Sequence, residues 1–117
     1  MKKKNFLDVS EEEVRLAGSK GATIRWLITE RDGALRYAMR RFEIKPGGWI
    51  GLHSHPEEHE IYILSGKARI FNEDLEIVAE EGDALFVPSN ERHGYENLSD
   101  KPLIFLCVIP ILSKQPK

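Results

Sequence analysis

An internal disulfide is impossible in this chain, which has a single cysteine, Cys107. A lone thiol suits a reducing compartment, and a cytoplasmic location is expected. Long apolar runs are also missing. The longest, Leu103 to Ile109, is about a third of the ~20 residues that a membrane-crossing helix requires. The N-terminus passes from Lys2-Lys3-Lys4 into Asn5-Phe6-Leu7-Asp8 without an apolar stretch of signal-peptide length. An excess of one charge is absent too, with 17 basic against 19 acidic residues. Neither nucleic acid nor a membrane is therefore an expected partner, and the three lysines read as a solvated end. At 117 residues, 41% of them apolar, the chain is long enough for one ordinary core and too short for two.

Helical periodicity is scarce. One segment, Ser10-Glu11-Glu12-Glu13, has the pattern of a capping box, and Gly18 and Gly21 would stop the short helical turn it opens. The rest predicts short strands separated by turn residues, as in a sandwich or barrel. Thr23 to Thr29 alternates with Ile24, Trp26 and Ile28 on one face. Arg36 to Ile44 slips in phase at Arg40-Arg41, which predicts a bulge or a strand buried on both faces. Pro46-Gly47-Gly48 then breaks the chain. Further strands are expected over 59–65, 67–71, 75–79, 84–87 and 93–97. The β-branched run 103–109 should be buried on both sides. The polar tail Ser113 to Lys117 is expected to fray.

Histidine is rare as well, at four residues, but its placement is ordered. His53, His55 and His59 share one parity, so on extended backbone their rings address one face. Pro56 allows a bend that brings His59 round to the same point. Three imidazoles from one hairpin supply half of an octahedral metal shell, or most of a tetrahedral one. His93 lies in a distant strand, and only the fold can deliver it as a fourth ligand. Glu57, Glu58 and Glu60 lie near enough in sequence to orient a ring nitrogen, or else are solvated loop acids.

The spacing resembles a known family. Gly47, five residues, His53-Ser54-His55, three residues, His59, six residues, Gly66 looks like the first cupin motif. Gly82, five residues, Pro88, four residues, His93, three residues, Asn97 is similar to the second. Motif 1 spans 47–66 and motif 2 spans 82–97, and the flanking strands extend the likeness over most of the chain. The resemblance implies one all-β cupin domain over 1–117, a double-stranded β-helix or jelly-roll barrel. It places all four histidines, His53, His55, His59 and His93, on metal-ligand positions.

Two departures from the family pattern stand out. His59 occupies a position where glutamate is usual, and Glu60 beside it is the alternative ligand. Counting back from Gly66 favours His59, and a one-residue slip would turn the side chain to the other face. Asn90 replaces a common glycine, and asparagine tolerates the left-handed conformation.

Four neutral imidazoles leave a divalent ion its full charge, which makes a bound water more acidic. The implied cofactor is one divalent transition metal per chain: manganese first, then iron or copper, with zinc or nickel also accommodated. Among cupins the chain most resembles small four-histidine proteins, some of them manganese-binding with oxygenase-like reactivity, and quercetin-dioxygenase-like enzymes share the barrel. That likeness implies a metal-dependent dioxygenase or other oxidoreductase acting on a small apolar molecule. The alternatives are a non-catalytic metal-anchored ligand-binding or sensor module, and a metal-dependent sugar isomerase or epimerase. Candidate pocket residues are Ile61, Ile63, Phe86 and Met39, with core packing the plainer role for each. Cys107 is a buried inert thiol or, as the resemblance implies, a pocket residue near the metal. Trp49 covers the mouth or meets a partner subunit. Arg40 and Arg41 present a cation to an anionic substrate or lie on solvated strand edges. A homodimer is expected, with Thr23 to Thr29 as a candidate edge or swapped element.

Overall fold

The computed structural model describes residues 1–112; the tail Ser113 to Lys117 lies outside the described residues. Among the described residues, nine strands form one strongly curled antiparallel sheet. They are β1 (Glu12–Glu13), β2 (Lys20–Ile28), β3 (Tyr37–His53), β4 (His59–Ser65), β5 (Lys67–Phe71), β6 (Glu76–Glu80), β7 (Ala84–Val87), β8 (His93–Asn97) and β9 (Leu103–Pro110). The hydrogen-bonded order is β6-β5-β8-β3-β9-β4-β7, with β2 on β3 and β1 on β2. The two ends of this path, β6 and β7, are joined by the turn at Glu81–Asp83. The Gly82 amide donates to Ile63 O, and the Ile63 amide donates to Asp83 O. The ends of the sheet are thereby brought together around one interior. Among the described residues no helix is long and apolar enough to cross a membrane.

β3 is the spine of the sheet. Its first part, Tyr37 to Ile44, pairs with β9, and its last part, Trp49 to His53, pairs with β8. Pro46-Gly47-Gly48 does not break the chain as expected. Gly47 adopts φ 78°, so the strand bends from one part of the sheet to the other without ending. β2 likewise starts earlier than Thr23, because Gly21 at φ 68° carries the strand through a register shift between Lys20 and Ala22. The phase slip at Arg40-Arg41 is met by an irregularity on the facing strand: Trp26 pairs with Arg40 and Ile28 with Met39.

The expected helical turn after Ser10 is absent. Short 3-10 turns flank the segment instead, at Phe6–Asp8, capped by the Asn5 side chain, and at Leu16–Gly18, closed by the Ser19 amide donating to Leu16 O. Glu12 and Glu13 pair with Ile24 and Thr23 instead, and the Glu11 carboxylate accepts from the Thr23 hydroxyl at 2.8 Å. Strand pairing takes the acids that a helix would have used.

The interior is filled by one parity of each strand. Phe42 and Ile44 of β3, Ile61 and Ile63 of β4, and Leu103, Phe105 and Cys107 of β9 are buried together. Phe42 and Phe105 stack with centroids 5.0 Å apart. β9 is not buried on both faces as expected. Ile104, Leu106 and Val108 are only half-buried, because the curled sheet is a single layer and its outer side has no second sheet over it.

Candidate metal centre

The four histidines come from β3, the loop after it, β4 and β8, and converge at one end of the interior. His53 ends β3 and is the register partner of His93, which opens β8; their ring centroids lie 4.3 Å apart. His55 sits in the loop after β3, and His59 opens β4. His55 lies 4.4 Å from the His59 ring and 5.3 Å from that of His93, while His59 and His93 are 4.9 Å apart. The His55 loop is tied down from the β7–β8 connection. The Asn90 amide donates to His55 O at 2.9 Å, and the Ser89 hydroxyl donates to Pro56 O. Asn90 has φ 65°, so it makes the left-handed turn that glycine would otherwise make.

The ring tautomers follow from what the Nδ1 atoms touch. His53 Nδ1 lies 2.7 Å from Gly51 O, and His93 Nδ1 lies 2.8 Å from Glu91 O. A carbonyl only accepts, so each Nδ1 carries the proton and each Nε2 presents a lone pair. His93 Nε2 is buried and has no hydrogen-bond partner among the described residues. One ring nitrogen from each of His53, His55 and His93 lies within 4.8 Å of the other two. His59 Nε2 lies 2.6 Å from His55 Nε2. An orphaned buried nitrogen among convergent imidazole lone pairs is what a divalent transition ion requires, so the donor set fits such an ion. When bound, the ion supplies Lewis acidity, and for a redox-active metal also electron transfer.

Burial keeps the rings of His53, His59 and His93 neutral. Burial, with the Arg40 guanidinium second, holds His59 down to about 2, and burial holds His93 down to about 4. Burial also lowers His53. Neutral imidazole is the metal-binding form, so protons are weak competitors at neutral pH. Arg40 is the cation that faces inward. Its Nη2 lies 3.1 Å from His59 Nδ1 and donates to Cys107 Sγ at 2.9 Å, while the guanidinium rests 5.4 Å over Trp26 and 5.0 Å over Phe42. Arg41 faces outward, pairs with Glu43 and covers Phe6.

Other residues singled out from the sequence divide by parity. Ile61 and Ile63 face the interior, as does Cys107, which is fully buried. Phe86 and Met39 do not line the pocket. Phe86 is 58% exposed on the outer face, in register with Glu60. Met39 has the opposite phase to the buried Ala38 and Phe42. Glu60 is exposed while His59 is 3% exposed, so the outward turn takes the glutamate away from the cluster. Glu57 approaches His55 Nδ1 at 3.5 Å, and Glu58 is exposed. Trp49 lies on the outer side beneath Lys20.

Tyr95 was not anticipated. It sits two residues after His93 on the same face of β8, with its ring 5.5 Å from that histidine and its hydroxyl buried. Its shared strand parity with His93 is the signal that could have found it. A cavity of about 570 Å³ lies between the N-terminal segment, the 29–32 turn and the end of β9, and none of the four histidines lines it. Trp26, Ala38 and Ile109 form part of its wall, as does Glu57, the neighbour of His55.

Comparison with known proteins agrees with this architecture. The structure of the polyketide cyclase RemF from Streptomyces resistomycificus superposes with a TM-score of 0.86 at 38% identity, covering 94% of this chain and 79% of that one. An oxalate-binding protein of Thermotoga maritima is 38% identical over 73 residues, and oxalate decarboxylase OxdC of Bacillus subtilis is 41% identical over 69. The matched stretches are 62% and 54% of this chain, but only 60% and 18% of those two proteins. The family model described as the Cupin domain matches residues 40–109, from the inward arginine of β3 to the end of β9. With the histidines brought together inside the curled sheet that this match spans, the chain belongs to the cupin family.

Proposed function

We propose that this chain is a metal-dependent oxidoreductase of dioxygenase type, which binds one divalent transition ion through His53, His55, His59 and His93 and acts on a small apolar organic molecule. The observation that carries the reading is the orphaned buried Nε2 of His93 amid three other imidazoles, with the Nδ1 atoms of His53 and His93 committed to backbone carbonyls. Manganese is the first candidate, then iron or copper; zinc and nickel suit the same donors. The chain's residues bind, orient and shield. Gly51 O and Glu91 O fix two ligand rings, while Phe105, Ile61 and Ile63 keep the floor of the site dry. Kinship with a polyketide cyclase favours a carbon-skeleton substrate over a sugar.

The test is elemental analysis of untagged protein purified without chelator, followed by oxygen uptake with a panel of aromatic and alkene compounds. About one manganese, iron or copper per chain with substrate-dependent oxygen consumption supports the proposal. Zinc alone with no oxygen uptake overturns it. A second reading, metal-anchored binding of a small ligand without turnover, is favoured by the likeness to an oxalate-binding protein. In that case calorimetry with oxalate would show binding and oxygen uptake would stay flat.

A further inference from the structure

His59 differs from the other ligand candidates in what holds its second nitrogen. An imidazole that offers a lone pair at Nε2 carries its proton at Nδ1, and that proton needs an acceptor. For His53 and His93 the acceptor is a backbone carbonyl. Among the described residues, His59 Nδ1 meets two side chains instead: Cys107 Sγ at 2.6 Å and Arg40 Nη2 at 3.1 Å.

These two neighbours require opposite tautomers. A guanidinium has five donors and no acceptor. If His59 Nδ1 accepts from Arg40, the proton moves to Nε2, and the ring becomes a donor toward His55 Nε2 at 2.6 Å. In that form it cannot ligate. If His59 Nδ1 donates to the Cys107 sulfur, Nε2 is left with its lone pair and ligates. Arg40 Nη2 also donates to Cys107 Sγ, at 2.9 Å. The sulfur thus provides the guanidinium with an acceptor other than the imidazole. Register holds all three groups on the inner face, since Cys107 pairs with Arg40 on one side and with Ile61, two residues after His59, on the other.

We propose that Cys107 is a positioning residue that selects the metal-ligating tautomer of His59, with Arg40 anchoring its sulfur. His53, His55 and His93 then form a constant three-histidine set, and His59 is a conditional fourth ligand. This inference rests on the metal reading above.

The test compares the wild type with Cys107→Val, Cys107→Ala and Cys107→Ser after loading with copper(II). Pulsed electron paramagnetic resonance counts the coupled imidazoles, and competition with a chelator gives affinity. The wild type is expected to show four imidazoles. Valine and alanine, which cannot accept, should show three and bind about tenfold or more weakly, the usual scale for losing an orienting partner. Serine, whose hydroxyl accepts, should restore the fourth. In a Cys107→Val/His59→Ala double variant the affinity should match that of His59→Ala alone. Four imidazoles and unchanged affinity in both valine and alanine variants would overturn the inference, as would a serine variant as impaired as valine. A wild type that binds no copper, manganese, iron or zinc would instead overturn the metal reading itself.

Discussion

At the scale of single residues, the buried histidines link stability to pH. In the unfolded chain His93 titrates near 6.5, but in the fold it stays neutral down to about 4. Between those values the unfolded state binds more protons, so stability falls as pH drops. His93 alone is expected to cost the metal-free protein about 3 kcal/mol between pH 7 and pH 4. Chelator-treated protein should therefore melt progressively lower across that range, and His93→Gln should flatten the trend. A melting temperature unaffected by either change would contradict the account. The close spacing of 53, 55 and 59 made the ring cluster legible in the sequence, although His55 lies in the loop after β3 and His59 in the next strand, so the turn between the strands and not parity brings them together. The role of Arg40 was not legible. Arg40 and Arg41 are adjacent and chemically equal, and only the irregular pairing opposite Trp26 and Ile28 fixes which of them faces inward. Phe86 failed because an apolar side chain on a short strand gives no sign of which face it takes, and Met39 because the inward phase of β3 is that of Ala38 and Phe42.

At the scale of elements, the bend in β3 and the turn packed against it position the first ligand. Gly51 lies two residues before His53. A Cβ there would come within 2.1 Å of Ala17 O, and the Gly51 amide donates to the Ser19 hydroxyl at 3.1 Å. Gly51→Ala forces the 16–19 turn and the strand apart, at a cost of about 1–3 kcal/mol. It should also weaken metal binding, because Gly51 O holds His53 Nδ1. Denaturant midpoints and chelator competition check the two effects; a variant with wild-type values in both would refute the coupling. The strands after residue 59 were legible because turn residues such as Gly66, Asn72 and Gly82 stand between them. The continuity of β3 was not, because Pro46-Gly47-Gly48 reads as a stop, and only the pairing of β8 with Trp49 to His53 shows that the strand runs on. The Ser10 segment misled for a related reason: its acids satisfy a capping pattern locally, but β2 offers them an edge.

At the scale of the whole molecule, the outer face of β4, β7 and β9 has no cover among the described residues. Tyr62 and Phe86 are exposed there, beside Leu106 and Val108, and these four form much of a shallow apolar groove. A homodimer is proposed through this face rather than through β2, whose outer edge already carries β1 at Thr23 and Ile24 and the backbone of Phe6 and Val9 on Arg25. Light scattering should give twice the chain mass for the wild type and a folded monomer for Phe86→Glu. A wild type that is monomeric at micromolar concentration would refute the proposal.

The register pairing of His53 with His93 has a mechanical consequence. Those two residues close the β3–β8 ladder at its open end, so an ion gripped by both rings acts as a rivet through two neighbouring strands. Withdrawing it should let that end of the ladder breathe. Amide protons of 93–97 should then exchange with deuterium faster, while those of 103–107, deep on the other flank of β3, keep their protection. The sheet would come undone from its metal end, one strand at a time.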